Sequence, residues 1–71
     1  MKIYTQDRNM IIEMPNRIWI TELAGMGLIV SDNTPWSELG RYKDLIRAKE
    51  VLKELFEYYR NGESSYIIPR S

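Results

Sequence analysis

Short apolar runs, separated by polar or turn-forming residues, fill the first half of the chain. They are too short for helices and rich in β-branched and aromatic side chains, which is typical of strands. We predict strands at 3–5, 10–14, 17–23, 28–31 and 36–43, with turns at 6–9, 15–16, 24–27 and 32–35. Gly40 lies inside the last of these strands, where glycine marks a bulge or a close backbone approach. Residues 1–43 are therefore predicted to form an antiparallel β-meander.

A helical periodicity replaces this pattern in the second half. Asp44 is a suitable N-cap, and Asn61-Gly62 provides a stop, because glycine readily adopts the left-handed conformation beyond a helix end. An apolar stripe recurs at helical spacing between them, formed by Ala48, Val51, Leu52, Leu55, Phe56 and Tyr59. We predict a helix over 44–61 whose stripe covers one face of the sheet, and a short closing strand over 64–68. The fold class is α+β, in a single domain spanning 1–71.

The aromatic side chains exceed what a small core can enclose. The chain has five tyrosines, two tryptophans and one phenylalanine. We expect Phe56, Tyr59 and one tryptophan to supply most of the aromatic core. Tyr58 and Tyr66 are then expected to be partly exposed.

Composition narrows the chemistry. The 71 residues include no histidine and no cysteine, which removes the common general base and thiolate nucleophile and most zinc or copper sites. The spacing of the carboxylates is not specific for an acid/base pair or a metal. We therefore expect a non-enzymatic protein with no cofactor and no metal.

Size, charge and the lack of long apolar runs bear on the oligomeric state and the localisation of the protein. A domain this small, without disulfides or a structural metal, often depends on self-association, so we expect a homo-oligomer. Ten basic residues balance ten acidic ones. The first residues do not resemble a signal peptide and no apolar run is long enough to span a membrane. We expect a cytoplasmic protein that does not bind a membrane.

Candidate protein-interface residues come from the pattern and from side-chain type. Leu45 and Ile46 begin the helix, and Ile46 falls among charged residues on its polar side. Ile46 is either a lone exposed isoleucine or part of an interface. Trp19, Trp36 and Tyr58 are further candidates, since aromatic residues often anchor interfaces.

Candidate ligand-binding residues form a basic-aromatic cluster: Arg41, Tyr42 and Lys43, with Arg47 one helical turn later. Cations beside an aromatic ring could hold a phosphate and stack a base. The ligand would be nucleotide-like, although the neutral charge of the whole chain does not favour nucleic acid.

Several segments resemble a set of small accessory proteins of phages and prophages of Gram-positive bacteria. The matching motifs are IYTQD at 3–7, LGRY at 39–42, RAKEVL at 47–52, NGE at 61–63 and YIIP at 66–69. That set commonly has acidic residues where this chain has Leu45 and Ile46, and a more polar hairpin at its centre. The resemblance implies an origin in a mobile element and a non-structural role. It implies no active-site residue.

Three functions therefore stay open. The first is an accessory protein that binds a host or phage protein and inhibits or redirects it, with counter-defence as the favoured setting. The second is a homo-oligomer that sequesters a nucleotide-like small molecule, and the third is a nucleic-acid-binding accessory factor. Exposed apolar residues favour the first, and the basic-aromatic cluster favours the other two.

Overall fold

Two three-stranded sheets and a helix make up the part of the chain, 1–32 and 37–71, that the computed structural model describes. In chain order the elements are β1 (Lys2–Tyr4), β2 (Ile11–Glu13), β3 (Ile18–Leu23), β4 (Met26–Ser31), β5 (Ser37–Tyr42), α1 (Leu45–Arg60) and β6 (Ser65–Ile67). The α+β class and the single helix followed by a closing strand are confirmed. The turn predicted at 32–35 and the start of the last strand at Trp36 fall largely outside the described residues.

The strands do not form one continuous meander. The first sheet has the order β2-β1-β6, and the second has the order β3-β4-β5. Strand β6 pairs with β1 in parallel, because α1 carries the chain back before the closing strand begins. The Pro15-Asn16 segment therefore connects two separate sheets, whereas the sequence pattern predicted a turn within a single sheet.

The two faces of the first sheet differ in burial. Ile3 pairs with Ile12 on one side and with Tyr66 on the other, and all three side chains are buried in the core. Their neighbours in each strand point the opposite way, as the two-residue period of a strand requires. The inner face of this sheet is thus one wall of the core.

A tight hairpin joins β3 to β4. Ala24 and Gly25 form its two-residue turn, and both have positive φ, 53° and 82°, as a type I′ turn requires. The predicted turn also included Met26 and Gly27. In the structure these residues pair with Leu23 and Glu22 and belong to β4. The predicted hairpin is confirmed, with a shorter tip.

Gly40 fulfils both expectations for a strand glycine. Ile29 pairs with Gly40 and Val30 with Glu38, so Leu39 is the extra residue of a bulge in β5. A Cβ atom on Gly40 would lie 2.8 Å from Cγ2 of Ile68. The bulge and the missing side chain together let the chain beyond β6 pack directly on β5.

Both ends of α1 are capped as the sequence predicted. The Asp44 carboxylate accepts a hydrogen bond from the Arg47 backbone N–H at 2.9 Å. Gly62 has a φ of 75°. The backbone N–H groups of Gly62 and Glu63 donate to the carbonyls of Tyr59 and Tyr58, which is the Schellman arrangement.

The helix lies against the second sheet at a close contact near its start. A Cβ on Gly27 would lie 2.7 Å from that of Ala48, so the absence of a side chain sets the distance between β4 and α1. Ala48, Val51 and Leu55 are the buried residues of the helix. Its predicted apolar stripe is confirmed at these three positions, whereas Leu52 is only half-buried.

Phe56 and Tyr59 are not core residues, so that part of the stripe was wrong. Phe56 is 56% exposed and Tyr59 51% exposed. Leu55 is the last buried residue of α1, and both Phe56 and Tyr59 follow it. Phe56 lies at the margin of the helix–sheet contact and not within it.

The aromatic core consists of Tyr42 and Tyr66, which reverses the expectation for Tyr66. Tyr42 donates its hydroxyl hydrogen to the Pro69 carbonyl at 2.6 Å, and Tyr66 donates to Glu54 Oε1 at 2.8 Å. These bonds satisfy the polar tip of each ring, which makes burial of the ring favourable. Burial raises the pKa of both hydroxyls, and the bond to Glu54 raises that of Tyr66 further.

Truncation of Leu55 tests the position of the core. Leu55 is fully buried whereas Leu52 is half-buried. Leu55→Ala should lower the free energy of unfolding by about 2–5 kcal/mol through the cavity it leaves, and Leu52→Ala should have a smaller effect. Thermal and denaturant unfolding of the two variants measure this difference. Equal effects would place the centre of the core elsewhere on α1.

Candidate functional site

The turn between β1 and β2 is held together by side chains. Asp7 Oδ1 accepts hydrogen bonds from the Asn9 backbone N–H at 3.0 Å and from the Thr5 hydroxyl at 2.8 Å, which hold the pKa of Asp7 below its usual range. Arg8 has a positive φ of 63°, and its Nη1 donates to the carbonyls of Thr5 and Ile68. The turn is therefore ordered and tied to the segment after β6.

Gln6 links this turn to β5 and to the C-terminal segment. Its Oε1 accepts from the Arg41 backbone N–H at 2.8 Å, and its Nε2 donates to the Arg41, Pro69 and Arg70 carbonyls at 3.0, 3.1 and 3.2 Å. Its own backbone N–H donates to the Leu39 carbonyl. One side chain thereby joins three chain segments where the two sheets meet.

A basic cleft of about 430 Å³ opens beside this junction. It is lined by Arg41, Tyr42, Lys43, Arg47, Arg70 and Ser71. All four predicted ligand-binding residues are therefore brought together in one place. We call this set of six residues the basic cleft.

The role predicted for Tyr42 needs correction. The Arg47 guanidinium lies 5.9 Å from the centroid of the Tyr42 ring, so the cation and the ring are adjacent as expected. The ring is nevertheless only 3% exposed. Tyr42 forms part of the floor of the cleft, and its face is not open for a base to stack on.

The cations of the basic cleft differ in their pairing. Arg41 makes two bonds to the Glu38 carboxylate, at 2.9 and 3.1 Å, and this pairing raises the pKa of the guanidinium. Arg47 contacts Glu50 at 3.3 Å. Within the described residues Lys43 and Arg70 have no ion-pair partner.

An apolar groove of about 450 Å³ lies between α1 and the segment that connects the two sheets. Its lining consists of Met14, Pro15, Asn16, Ile18, Lys49, Leu52, Lys53, Leu55 and Phe56. Lys49 and Lys53 supply the charge of the groove, and no carboxylate lines it among the residues described. We call this surface the apolar groove.

Sequence reasoning missed the apolar groove. Phe56 and Leu52 were assigned to a covered stripe, and Met14 and Ile18 to strands of a single sheet. The available signal was the width of the apolar stripe. It has six positions, and the sheets cover only Ala48, Val51 and Leu55 of them fully. The division of the strands into two sheets, whose connecting segment lines the groove, could not be predicted from the sequence pattern.

The predicted interface residues do not form one patch. Ile46 is 72% exposed and Trp19 41% exposed, which confirms that both are accessible. Ile46 and the half-buried Leu45 lie one turn before Lys49 on α1. Trp19 lies on β3, and Tyr58 packs edge-to-face on Tyr66 with ring centroids 4.8 Å apart. Trp36 is outside the described residues.

The outer face of the first sheet carries an apolar row. Tyr4 pairs with Ile11 on one side and Ile67 on the other, and both isoleucines are exposed. Beside the row, Lys2 and Glu13 form an exposed ion pair. Three aligned apolar side chains on an open sheet face are suited to a contact with another surface.

No protein-family model, curated protein sequence or solved structure matches this chain. Among the described residues, no helix combines the length and apolar character needed to cross a membrane. Carboxylates in residues 1–32 and 37–71 also form no group of three that could hold a metal ion. The candidate sites are thus the basic cleft, the apolar groove and the apolar row.

The apolar row generates a prediction about self-association. We expect the purified protein to have the mass of a dimer or larger at micromolar concentration, with a melting temperature that rises with concentration. Ile67→Asp should lower the mass toward that of the monomer, because a charge would replace an apolar contact. Sedimentation across a concentration series measures this. A monomeric mass in the parent throughout, with a constant melting temperature, would exclude the oligomer.

Proposed function

We propose that this protein is a non-enzymatic accessory protein of a phage or prophage that binds a host or phage protein and inhibits or redirects it. Counter-defence is the proposed setting. The observation that carries the proposal is the apolar groove, whose floor is apolar and whose charges are all positive among the residues described. An exposed surface of this kind on a small domain favours binding of another macromolecule.

The groove offers anchor points for a partner. Phe56 is more than half exposed at its edge, and Ile18 and Leu52 are half-buried. Covering such side chains contributes roughly 25 cal/mol for each Å² of apolar surface removed from water. Aromatic residues that a partner covers often contribute a large share of the binding energy.

Charge complementarity indicates the chemistry of the partner. Lys49 and Lys53 lie at the groove without an ion pair to any residue the structure describes. A partner segment that presents apolar side chains to the floor and carboxylates to the two lysines would match both features. An acidic amphipathic helix has this distribution, and helices commonly bind in such grooves.

Leu45 and Ile46 extend this surface along α1. They precede Lys49 by four and three residues, the spacing at which side chains are neighbours on a helix. The proposed interface therefore runs from the first turn of α1 to Phe56.

The resemblance to phage and prophage proteins supports the proposed origin. Several residues that carry it maintain the fold: Gln6 joins three segments, Gly40 permits a close approach, and Gly62 ends the helix. Groove residues Met14, Ile18 and Phe56 lie outside those motifs. Lys49 and Leu52 of the groove lie within RAKEVL, so we propose a shared scaffold with a partner surface that is only partly particular to this chain.

Matched charge reversals test the proposal. The parent, the double variant Lys49→Glu/Lys53→Glu, and the control Arg60→Glu in the last turn of α1 are each used to capture proteins from cells of the bacterial host. We expect one partner at stoichiometric yield with the parent and with the control. The double variant should lose it, because two like charges would then face the partner's carboxylates.

The variant Ile46→Asp provides a second test of the proposed interface. It should leave the melting temperature nearly unchanged, since an acidic residue near a helix start is favoured by the dipole. It should weaken binding of the captured partner by about 1 kcal/mol or more if the residue lies within the contact. The proposal would be contradicted if Lys49→Glu/Lys53→Glu captured the same partner as the parent. It would also be contradicted if the parent captured no partner at stoichiometric yield.

A further inference from the structure

The basic cleft draws its charges from three separate segments. Lys43 follows β5, Arg47 lies in the first turn of α1, and Arg70 lies beyond β6. Arg70 is distant in sequence from Lys43 and Arg47, and all three side chains are positive, so their convergence opposes folding slightly. Their placement around one opening concentrates positive potential in a chain whose net charge is zero.

The neighbouring carboxylates neutralise only part of the charge of this cleft. No acidic side chain lines it in the described part of the chain. Glu38 and Glu50 pair with Arg41 and Arg47 at the exposed surface and offset those two charges, although such pairs are held weakly. The cleft retains the free charge of Lys43 and Arg70 beside Arg47.

The Arg47 guanidinium already binds an oxygen atom. Its Nε and Nη2 donate to the Ser71 main-chain oxygen, at 3.3 and 3.0 Å. Arginine commonly presents this same Nε/Nη2 edge to the oxygens of a phosphate or carboxylate group. The position of that acceptor, at the cleft, marks where an oxygen of a bound anion would lie.

The volume of the cleft suits a small molecule. About 430 Å³ falls within the range of ordinary ligand sites. Because the Tyr42 ring is buried, the contact with a ligand must come mainly from the cations and not from stacking. We propose that the basic cleft binds a small phosphorylated molecule through Lys43, Arg47 and Arg70, with Ser71 displaced from Arg47.

Calorimetric titration of the purified protein tests this site with pyrophosphate and ADP as probes, and without any protein partner. We expect both probes to bind, with an affinity that falls as salt concentration rises. Lys43→Ala should weaken binding about tenfold, the loss of one charge-assisted contact. Arg47→Ala should weaken it at least as much.

Arg60→Ala is the matched control, because it removes an exposed cation from the same helix far from the cleft. It should bind both probes as the parent does. Unchanged affinity in a folded Lys43→Ala variant would overturn the proposal, as would no binding of either probe at millimolar concentration. If the protein bound a single-stranded oligonucleotide but neither pyrophosphate nor ADP, the proposal would be overturned in favour of a nucleic-acid site. Because the apolar groove takes no part, these outcomes are independent of the proposed partner.

Discussion

The hydrogen bonds of the Gln6 side chain are the constraint on which the arrangement of this small fold depends. A three-stranded sheet with strands of three residues has little stability of its own, and the second sheet needs cover on its core face. Gln6 stands where the two sheets meet and bonds to β5 on one side and to the segment after β6 on the other. Without this side chain, the carbonyl and N–H groups that it bonds at the junction, which are exposed or part-buried, would lose these partners and the segments would lose this link.

Other features reinforce the same junction. The missing side chain of Gly40 lets Ile68 pack on β5, and the Tyr42 hydroxyl bonds to Pro69. Arg8 bonds to the Ile68 carbonyl from the turn after β1. The segment after β6 is thereby held in a defined position, and that position brings Arg70 to the basic cleft. Fold and candidate ligand site therefore share their supporting contacts.

The apolar groove has a different origin. It lies between α1 and residues 14–18, where the chain passes from the first sheet to the second. Phe56 and Leu52 are left at its edge because the core is already filled by Ala48, Val51 and Leu55. The groove and the basic cleft thus use different parts of α1, with the groove along its middle and the cleft at its first turn.

Local signals in the sequence predicted the local structure well. The caps at Asp44 and Gly62, the hairpin at Gly25 and the bulge at Gly40 each depend on residues adjacent in the chain. The convergence of Arg41, Lys43 and Arg47 was predicted because they lie within seven positions of each other. Arg70 joins them through the tertiary fold and was missed.

Long-range pairing left weaker signals. Nothing local to Ser65–Ile67 indicates that β6 pairs in parallel with β1, so the division into two sheets was not predicted. The assignment of Phe56 and Tyr59 to the core failed for the same reason, since it depends on how far the sheet extends under the helix. Gln6 was predicted only as a turn residue, because its partners lie more than thirty positions away.

Amide hydrogen exchange in a Gln6→Ala variant tests the central role of this junction most directly. The Arg41 N–H loses its acceptor, and we expect its exchange, and that of the Ile68 N–H bonded to Tyr4, to become much faster than in the parent. The free energy of unfolding should fall by about 1 kcal/mol, as expected for the loss of exposed and part-buried hydrogen bonds. Exchange at Arg41 and Ile68 as slow as in the parent would contradict the account.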